Sequence, residues 1–465
     1  MKQLLHCCNQ AVLVALNDRS FFVNLDSDSS QPIELLPPPS LESPDAKKNT
    51  KSPSLVEENP IQAVAMIEIN DPEKSFLCAV SRADKTLALY HVASSETSTN
   101  ALSPTLVHNT NKRVACMSFG HVPPAPPSPQ EKQEQQNSRE EQKSMLVILA
   151  GDLVGDAWAF STEKANQSRL LLGHTASMLT SIFASENRVL TADRDEKIRV
   201  TSFPDSTIIE GFLLGHEAYV SAMDANQNNN ALGEETICVS CSGDGTIRAW
   251  DYGQAKLLAT WSQENTGQKE NEKIPARVAL SPDASLVAVV YDQCKTLHLL
   301  QLQQPPSDNT KDGNKSLKLV QSLECPEQPL AVSFTKSGSL VVAMKDPSYI
   351  QLYSINSSST SGTGTKDDNP LLLEATDHAG LAALRKMAVD ASLQMPDSVL
   401  EKDKKGLPTL DKKAEGRGNI TSKRPIEEMP WNNAARKEVA KARNKRHAKR
   451  RKQAATCNNT DDVAS

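Results

Sequence analysis

Two similar segments in the middle of the 465-residue chain decide the fold: LLLGHTASMLTSIF at 170–183 and FLLGHEAYVSAM at 212–223. Their histidines, His174 and His216, are 42 positions apart. Self-similarity at a fixed period of roughly 20–50 residues is typical of repeat folds. We therefore expect a chain built from repeated units rather than from ordinary domains.

A second signature follows each histidine. It reads TADRDEKIRVTSF at 191–203 and SCSGDGTIRAWD at 240–251, and alignment places Asp195 on Asp244. A period in the forties, with GH near the start and a Trp such as Trp250 near the end, is typical of WD40 units, which have four short strands each. The spacing predicts that each unit forms one blade of a β-propeller.

Five weaker copies keep the strand pair of this pattern and bring the number of units to seven. They lie at 11–25, 80–92, 149–160, 286–300 and 340–353. Seven four-stranded blades are enough to close a disc. We therefore predict an all-β fold: a seven-bladed WD40 β-propeller with disordered inserts and a basic, partly helical C-terminal tail.

The polar residues of the repeat favour a structural role over catalysis. The turn Asp, a hydroxyl residue, the GH histidine and the Trp can form a buried hydrogen-bonded chain, and buried polar groups persist when they are satisfied in this way. His–Asp pairs also occur in catalytic triads, but no nucleophile motif such as GxSxG accompanies them. We predict no catalytic residue and a structural blade network made by His174, Asp195, His216, Asp244 and Trp250.

The composition argues against several other classes of protein. The formal net charge is only −6, and no apolar run reaches the roughly 18 residues that a membrane span needs. Polar residues interrupt the first 16 positions, which argues against a secretory signal. The nine cysteines are typical of reduced thiols. Cys238 and Cys241 form a CxxC without a second pair, which favours core packing over zinc binding.

The predicted domain map has four parts. The propeller is expected at 1–356, a linker at 357–377, a short helix at 378–396 and a disordered basic tail at 397–465. The helix is expected because Leu and Ala recur at helical spacing. Long inserts poor in apolar residues cannot bury enough surface to order themselves; they lie near 26–60, 120–144, 226–235, 262–273 and 303–315.

One hairpin of the central repeat concentrates charge. Where the neighbouring repeat has Gly245 and Thr246, this repeat has Glu196 and Lys197, and Arg194 precedes the turn Asp. Such a run of charges is most often a solvated face. A rigid hairpin with alternating charges also suits an electrostatically steered protein–protein contact. The residues alone leave both interpretations open.

The central region closely resembles the WD-repeat subunit of tRNA (guanine-N7)-methyltransferase. The resemblance rests on GHTASMLTSI, RVLTADRDEKIRV and IIEGFLLGHEAYVSAM within 170–223, and extends to GDLVGDAWAF at 151–160. That subunit is the non-catalytic half of a heterodimer. Its partner, a Rossmann-like methyltransferase, methylates N7 of guanine 46 in the tRNA variable loop.

This resemblance has three implications for the chain. It implies no catalytic activity and no cofactor, and the sequence also has no glycine-rich dinucleotide fingerprint. It implies that the chain stabilises the catalytic subunit and helps to position tRNA. It places the partner contact at Arg194, Glu196, Lys197 and Arg199, although Arg199 aligns with Arg248 of the ordinary repeat and is therefore less diagnostic.

The C-terminal tail carries a dense basic cluster. Residues 436–452 contain ten basic residues and one acidic residue, on a body that is otherwise acidic. Such clusters serve in nucleic-acid binding or nuclear import, or are simply solvated tails. We expect a nuclear protein, without excluding a cytoplasmic fraction. The basic residues are Arg436, Lys437, Lys441, Arg443, Lys445, Arg446, Lys449, Arg450, Arg451 and Lys452.

The alternative function is that of a WD40 substrate receptor or scaffold in a ubiquitin ligase. Such receptors often carry an Arg shortly after the WD pair, where it can contact the adaptor. Here Asp251 is followed by Tyr252, Gly253 and Gln254. The missing Arg favours the methyltransferase subunit over the ligase receptor.

Overall fold

The structure is a computed structural model, and most of the propeller region falls within the residues that it describes. These are 3–26, 31–39, 59–69, 75–93, 101–122, 145–174, 178–185, 187–194, 196–226, 236–263, 273–304, 315–357 and 371–397. The described strands form seven antiparallel sheets of four strands each, and each sheet uses four consecutive strands. The predicted seven-bladed propeller is therefore confirmed.

The blades are numbered in chain order, and their first four are as follows. Blade 1 contains β1 Leu5–Cys8, β2 Ala11–Leu16, β3 Arg19–Asn24 and β4 Ile33–Leu35. Blade 2 contains β5 Ile61–Glu68, β6 Phe76–Arg82, β7 Thr86–Val92 and β8 Leu106–Asn109. Blade 3 contains β9 Val114–Val122, β10 Met145–Asp152, β11 Asp156–Ser161 and β12 Ser168–Gly173. Blade 4 contains β13 Met178–Ser185, β14 Arg188–Asp193, β15 Ile198–Ser202 and β16 Ile209–Leu213.

The remaining blades and one helix complete the described part. Blade 5 contains β17 Val220–Ala225, β18 Ile237–Ser242, β19 Thr246–Asp251 and β20 Lys256–Ser262. Blade 6 contains β21 Pro275–Leu280, β22 Leu286–Tyr291, β23 Thr296–Gln303 and β24 Ser316–Glu324. Blade 7 contains β25 Pro329–Phe334, β26 Leu340–Met344, β27 Ile350–Ser357 and β28 Leu371–Thr376. Helix α1 spans Ala379–Asp390.

The middle strands of each blade are apolar along their whole length because neighbouring blades cover both of their faces. The runs AVLVAL in β2 and LVAVVY in β22 are buried at every position. A short, continuous apolar run is what a strand buried on both faces requires. The core therefore lies between blades, as a ring of apolar clusters.

The first strands of the blades line a central channel. Each of these strands contacts the first strand of the next blade, and the ring returns from β25 to β1. The channel encloses about 570 Å³. Each loop between the second and third strands of a blade therefore lies on one surface of the disc, together with the connections that lead into the next blade.

Blade 1 and blade 7 meet without exchanging a strand. The Cys7 amide donates to Ser333 Oγ at 3.2 Å, and the Lys336 amide donates to the Asn9 carbonyl at 2.9 Å. Helix α1 packs against both β3 and β27, and it buries Leu381, among other apolar residues. Loop contacts and this helix thus hold the seam between the two ends of the propeller.

Two outer strands lie where the sequence analysis expected none. Strand β28 falls inside the predicted linker 357–377, and β4 falls inside the predicted insert near 26–60. Strand β4 has only three residues, too few to show a period, and the apolar β28 follows a Ser- and Gly-rich stretch that interrupts the blade pattern. The propeller therefore extends to Thr376. Helix α1 lies within the expected range 378–396.

Among the described residues, no helix has the length and apolar character needed to cross a membrane. The tail at 397–465, with its basic cluster, lies outside the described residues except for Asp397.

Candidate partner interface

Blade 5 contains the hydrogen-bonded chain that its WD40 signature suggests. His216 Nδ1 lies 3.1 Å from Asp244 Oδ2, and His216 Nε2 lies 2.8 Å from Ser240 Oγ. Trp250 Nε1 donates to the same Ser240 hydroxyl at 2.8 Å. The chain links the loop before the blade, the second strand, the hairpin turn and the third strand. It therefore fixes the hairpin relative to the blade.

The carboxylate of Asp244 is stabilised in its charged form. Burial opposes ionisation, but contacts with His216, the Glu217 amide and the Thr246 hydroxyl hold the pKa of Asp244 well below its usual range. Asp244 Oδ1 also accepts from the Thr246 amide at 2.8 Å. Each oxygen of this side chain is thus used, and the group is a structural element of the blade.

Blade 4 builds its network from a different carboxylate. His174 Nδ1 lies 2.8 Å from Asp193 Oδ2, and His174 Nε2 lies 2.7 Å from Thr191 Oγ1. Asp193 occupies the register position of Ser242, at the end of the second strand. Asp195, which the sequence alignment selected, lies outside the described residues. The sequence missed Asp193 because the WD40 pattern places the acid inside the turn.

The blade 4 hairpin presents charge at the surface of the disc. Lys197 is exposed, and Arg194 and Glu196 are half-buried. Glu196 has a φ of 70°, in the left-handed region where its counterpart in blade 5 is Gly245, with a φ of 81°. No ion pair described in the structure involves Arg194 or Lys197. These two cations are therefore available to a partner.

Arg199 differs from its counterpart Arg248 through its surroundings. Arg248 lies over the Trp250 ring at 6.0 Å, whereas blade 4 has Thr201 in place of that Trp. Arg199 Nε instead donates to Thr201 Oγ1 at 2.9 Å. Partial burial lowers the pKa of Arg199. A half-desolvated cation that lacks an aromatic neighbour is well suited to pair with an incoming carboxylate.

Tyr219 was missed by the sequence analysis and lies beside this hairpin. Burial, with nearby Asp292, raises the pKa of Tyr219 to about 12, and the charge of Arg194 opposes this shift. Its buried hydroxyl has no hydrogen-bond partner among the described residues. A Cβ at Gly243 would lie only 2.5 Å from the Tyr219 ring, so Gly is needed there. No motif in the sequence marks this contact between blades.

The two cysteines of the CxxC face opposite sides of β18. Cys238 packs into the cluster between blades 4 and 5, and Cys241 packs into the cluster between blades 5 and 6. Burial raises the pKa of Cys241 to about 11. Because the two thiols point away from each other, they cannot bind one metal ion together. Their place in the core is confirmed.

Comparison with known proteins identifies the family. Residues 127–361, half of the chain, match the family model described as the tRNA methyltransferase TRM82 WD40 domain. The chain belongs to this family. The matched region includes the blade 4 hairpin and the complete hydrogen-bonded chain of blade 5.

Named relatives of this family are similar to the chain over part of its length. The tRNA (guanine-N(7)-)-methyltransferase non-catalytic subunit of Dictyostelium discoideum is 28% identical over 41% of this chain and 40% of its own. The subunits with the same description are 27% identical in Culex quinquefasciatus, over 60% of each chain, and 34% identical in Homo sapiens, over 33% of this chain and 38% of the relative. The matched regions thus span roughly 40–60% of these relatives.

Proposed function

We propose that this chain is the non-catalytic subunit of a tRNA (guanine-N7)-methyltransferase. It forms a heterodimer with a separate methyltransferase, stabilises that subunit and helps to position tRNA for methylation of guanine 46 in the variable loop. The family match over 127–361 carries this proposal. The relatives that share the region are named as non-catalytic subunits of the same enzyme.

The blade 4 hairpin supplies the contact with the catalytic subunit in this proposal. Arg194 and Lys197 have no ion pair in the described structure, and Arg199 is half-desolvated. The hydrogen bonds of His174 to Asp193 and Thr191 hold the base of the hairpin. A rigid cationic projection gives orientation and a fast encounter with an acidic surface. Glu196 adds a negative charge that restricts which surfaces are accepted.

Assembly with a catalytic subunit tests the proposal directly. The chain and the methyltransferase of the same organism, purified separately and then mixed, should elute from a sizing column as one complex of one copy each. Calorimetry on the isolated chain should show no stoichiometric binding of S-adenosylmethionine, because the partner supplies the methyl donor. Separate elution of the two chains, or donor binding by this chain alone, would contradict the proposal.

Deleting the basic tail should weaken tRNA binding without affecting assembly. Residues 436–452 carry ten basic side chains, and a body that is otherwise acidic repels RNA. Each lost phosphate contact removes about 0.7–0.9 from the slope of log K against log salt. A heterodimer lacking residues 436–465 should therefore show weaker binding and a flatter slope, by a similar amount for different tRNA sequences.

The same truncation separates RNA contact from nuclear import. An unchanged salt slope, together with cytoplasmic accumulation of the truncated chain, would mean that the tail acts only as an import signal. We propose a nuclear location for the chain on the same basic cluster. A fluorescent fusion of the full chain, compared with the truncated fusion, measures it.

A further inference from the structure

The outer edge of blade 4 exposes an unusual concentration of apolar side chains. Ile208, Ile209, Phe212 and Leu214 are between 41% and 60% exposed. They make up four of the ten large hydrophobic residues that are exposed in the described part of the chain, within a span of seven residues. Single exposed apolar residues are normal on protein surfaces, whereas a contiguous group indicates an interaction site.

A β-bulge places two of these side chains on one face. Val200 pairs with Gly211, but Thr201 pairs with Ile209, so Glu210 is the extra residue in β16. Side chains alternate between the faces of a regular strand, and one inserted residue reverses that alternation. Ile209 and Phe212, three positions apart, therefore lie on the same face of the outer strand.

The cations of the hairpin share that face. Arg199 pairs directly with Phe212, and Lys197 precedes the pair formed by Ile198 and Leu213. Ile198 and Leu213 point to the opposite face, where they are buried in the cluster between blades 4 and 5. Alternation thus puts Lys197 and Arg199 on β15 alongside Leu214 and Phe212 on β16. A row of positive charge lies next to a row of apolar side chains.

Local contacts hold this edge in place without covering it. Arg188 Nε pairs with Glu210 Oε2 at 2.6 Å, and Ser202 Oγ donates to Glu210 Oε1 at 2.7 Å. These bonds fix the bulge at the lower end of the strand. The edge is therefore ordered, and apolar groups that are already ordered lose little entropy when a partner covers them.

We propose that the blade 4 docking face, formed by Lys197, Arg199, Ile209, Phe212 and Leu214, is the binding surface for the catalytic subunit. This proposal rests on the proposed function and names the surface that carries out the assembly. The partner presents apolar side chains to the outer strand and carboxylates to the cations of β15. The apolar row supplies affinity, and the charged row sets orientation and encounter rate.

The two rows predict different responses to salt. Phe212→Ser and Leu214→Ser should each weaken binding of the purified methyltransferase at least tenfold, and the loss should be the same from low to moderate salt. Arg199→Gln should weaken binding most at low salt, because screening reduces its contribution in the wild-type chain. Calorimetry or biolayer interferometry at three salt concentrations measures both effects.

A matched control separates this surface from general apolar exposure. Val389 on α1 is 49% exposed and lies at the seam of blades 7 and 1, so Val389→Ser should bind like the wild type. Thermal melts of all variants should coincide with the wild type, because the replaced side chains are exposed.

The outcomes distinguish this inference from the proposed function. Wild-type binding that Phe212→Ser and Leu214→Ser leave within twofold would overturn the docking face alone. Failure of the wild-type chain to bind the methyltransferase would overturn the proposed function and, with it, this assignment. A salt-independent loss confined to the two apolar variants supports the docking face.

Discussion

Exchanging Arg194 and Lys197 together for Glu is expected to abolish heterodimer formation while the propeller stays folded. The two cations lie on one hairpin and have no ion pair in the described structure, so each reversal replaces an attraction to the partner by a repulsion. Close charge pairs across interfaces contribute about 1.5–7 kcal/mol. The double change should therefore raise Kd at least about 100-fold, which corresponds to about 2.7 kcal/mol. Sizing chromatography with the catalytic subunit, followed by interferometry, measures the loss.

The control for this experiment is a charge change of the same size elsewhere on the disc. Lys256 on β20 and Lys318 on β24 are exposed and lie on other blades. Their double exchange for Glu should leave Kd unchanged at moderate salt. Equal losses in the two double variants would show that net charge, rather than the hairpin, governs binding. Unfolding of the Arg194 and Lys197 variant would also contradict the surface placement of these residues.

The second large effect is expected from Asp244→Ala. This change removes the acceptor for the Thr246 hydroxyl at 2.7 Å and the Glu217 amide at 2.9 Å, and it breaks the contact with His216. Leaving such buried groups without partners costs about 1–3 kcal/mol of the free energy of unfolding. Urea denaturation should show a lower midpoint. Asp205→Ala, which loses only contacts with neighbouring Thr207 in an exposed turn, should have a smaller effect.

The effect of Asp244 should depend on pH in one direction. Its pKa is lowered in the folded chain, so its contribution is complete above the unfolded value of about 3.9 and is lost as the pH falls through the folded value. The difference in urea midpoint between wild type and variant should therefore be constant near neutral pH and shrink in acid. A difference that grows as the pH falls would contradict the charged state assigned to Asp244.

The repeat pattern predicted the architecture because each blade is a local unit. The GH and WD signatures of blades 4 and 5 fix the period, and apolar runs such as those of β22 mark strands covered on both faces. Outer strands such as β4 were harder to predict. An outer strand is covered by only one neighbour and carries a weaker hydrophobic pattern.

The candidate interface was predictable only where it consists of charge. Arg194 and Lys197 stand out in a hairpin whose counterpart has neither, but their neighbours do not. The grouping of Ile209 with Phe212 depends on a bulge at Glu210 that side-chain alternation cannot anticipate. The contact of Tyr219 with Gly243 joins a blade entry loop to a hairpin turn and follows only from the assembled blade.

Methylation of tRNA by the reconstituted pair tests the central claim most directly. The catalytic subunit, this chain and the mixture of both should each be incubated with S-adenosylmethionine and a tRNA that carries guanine at position 46. The modified base is then located by cleavage of the RNA at N7-methylguanosine. The account predicts sustained methylation at guanine 46 only in the mixture, and none with this chain alone. Equal methylation with and without this chain, or methylation at another position, would contradict it.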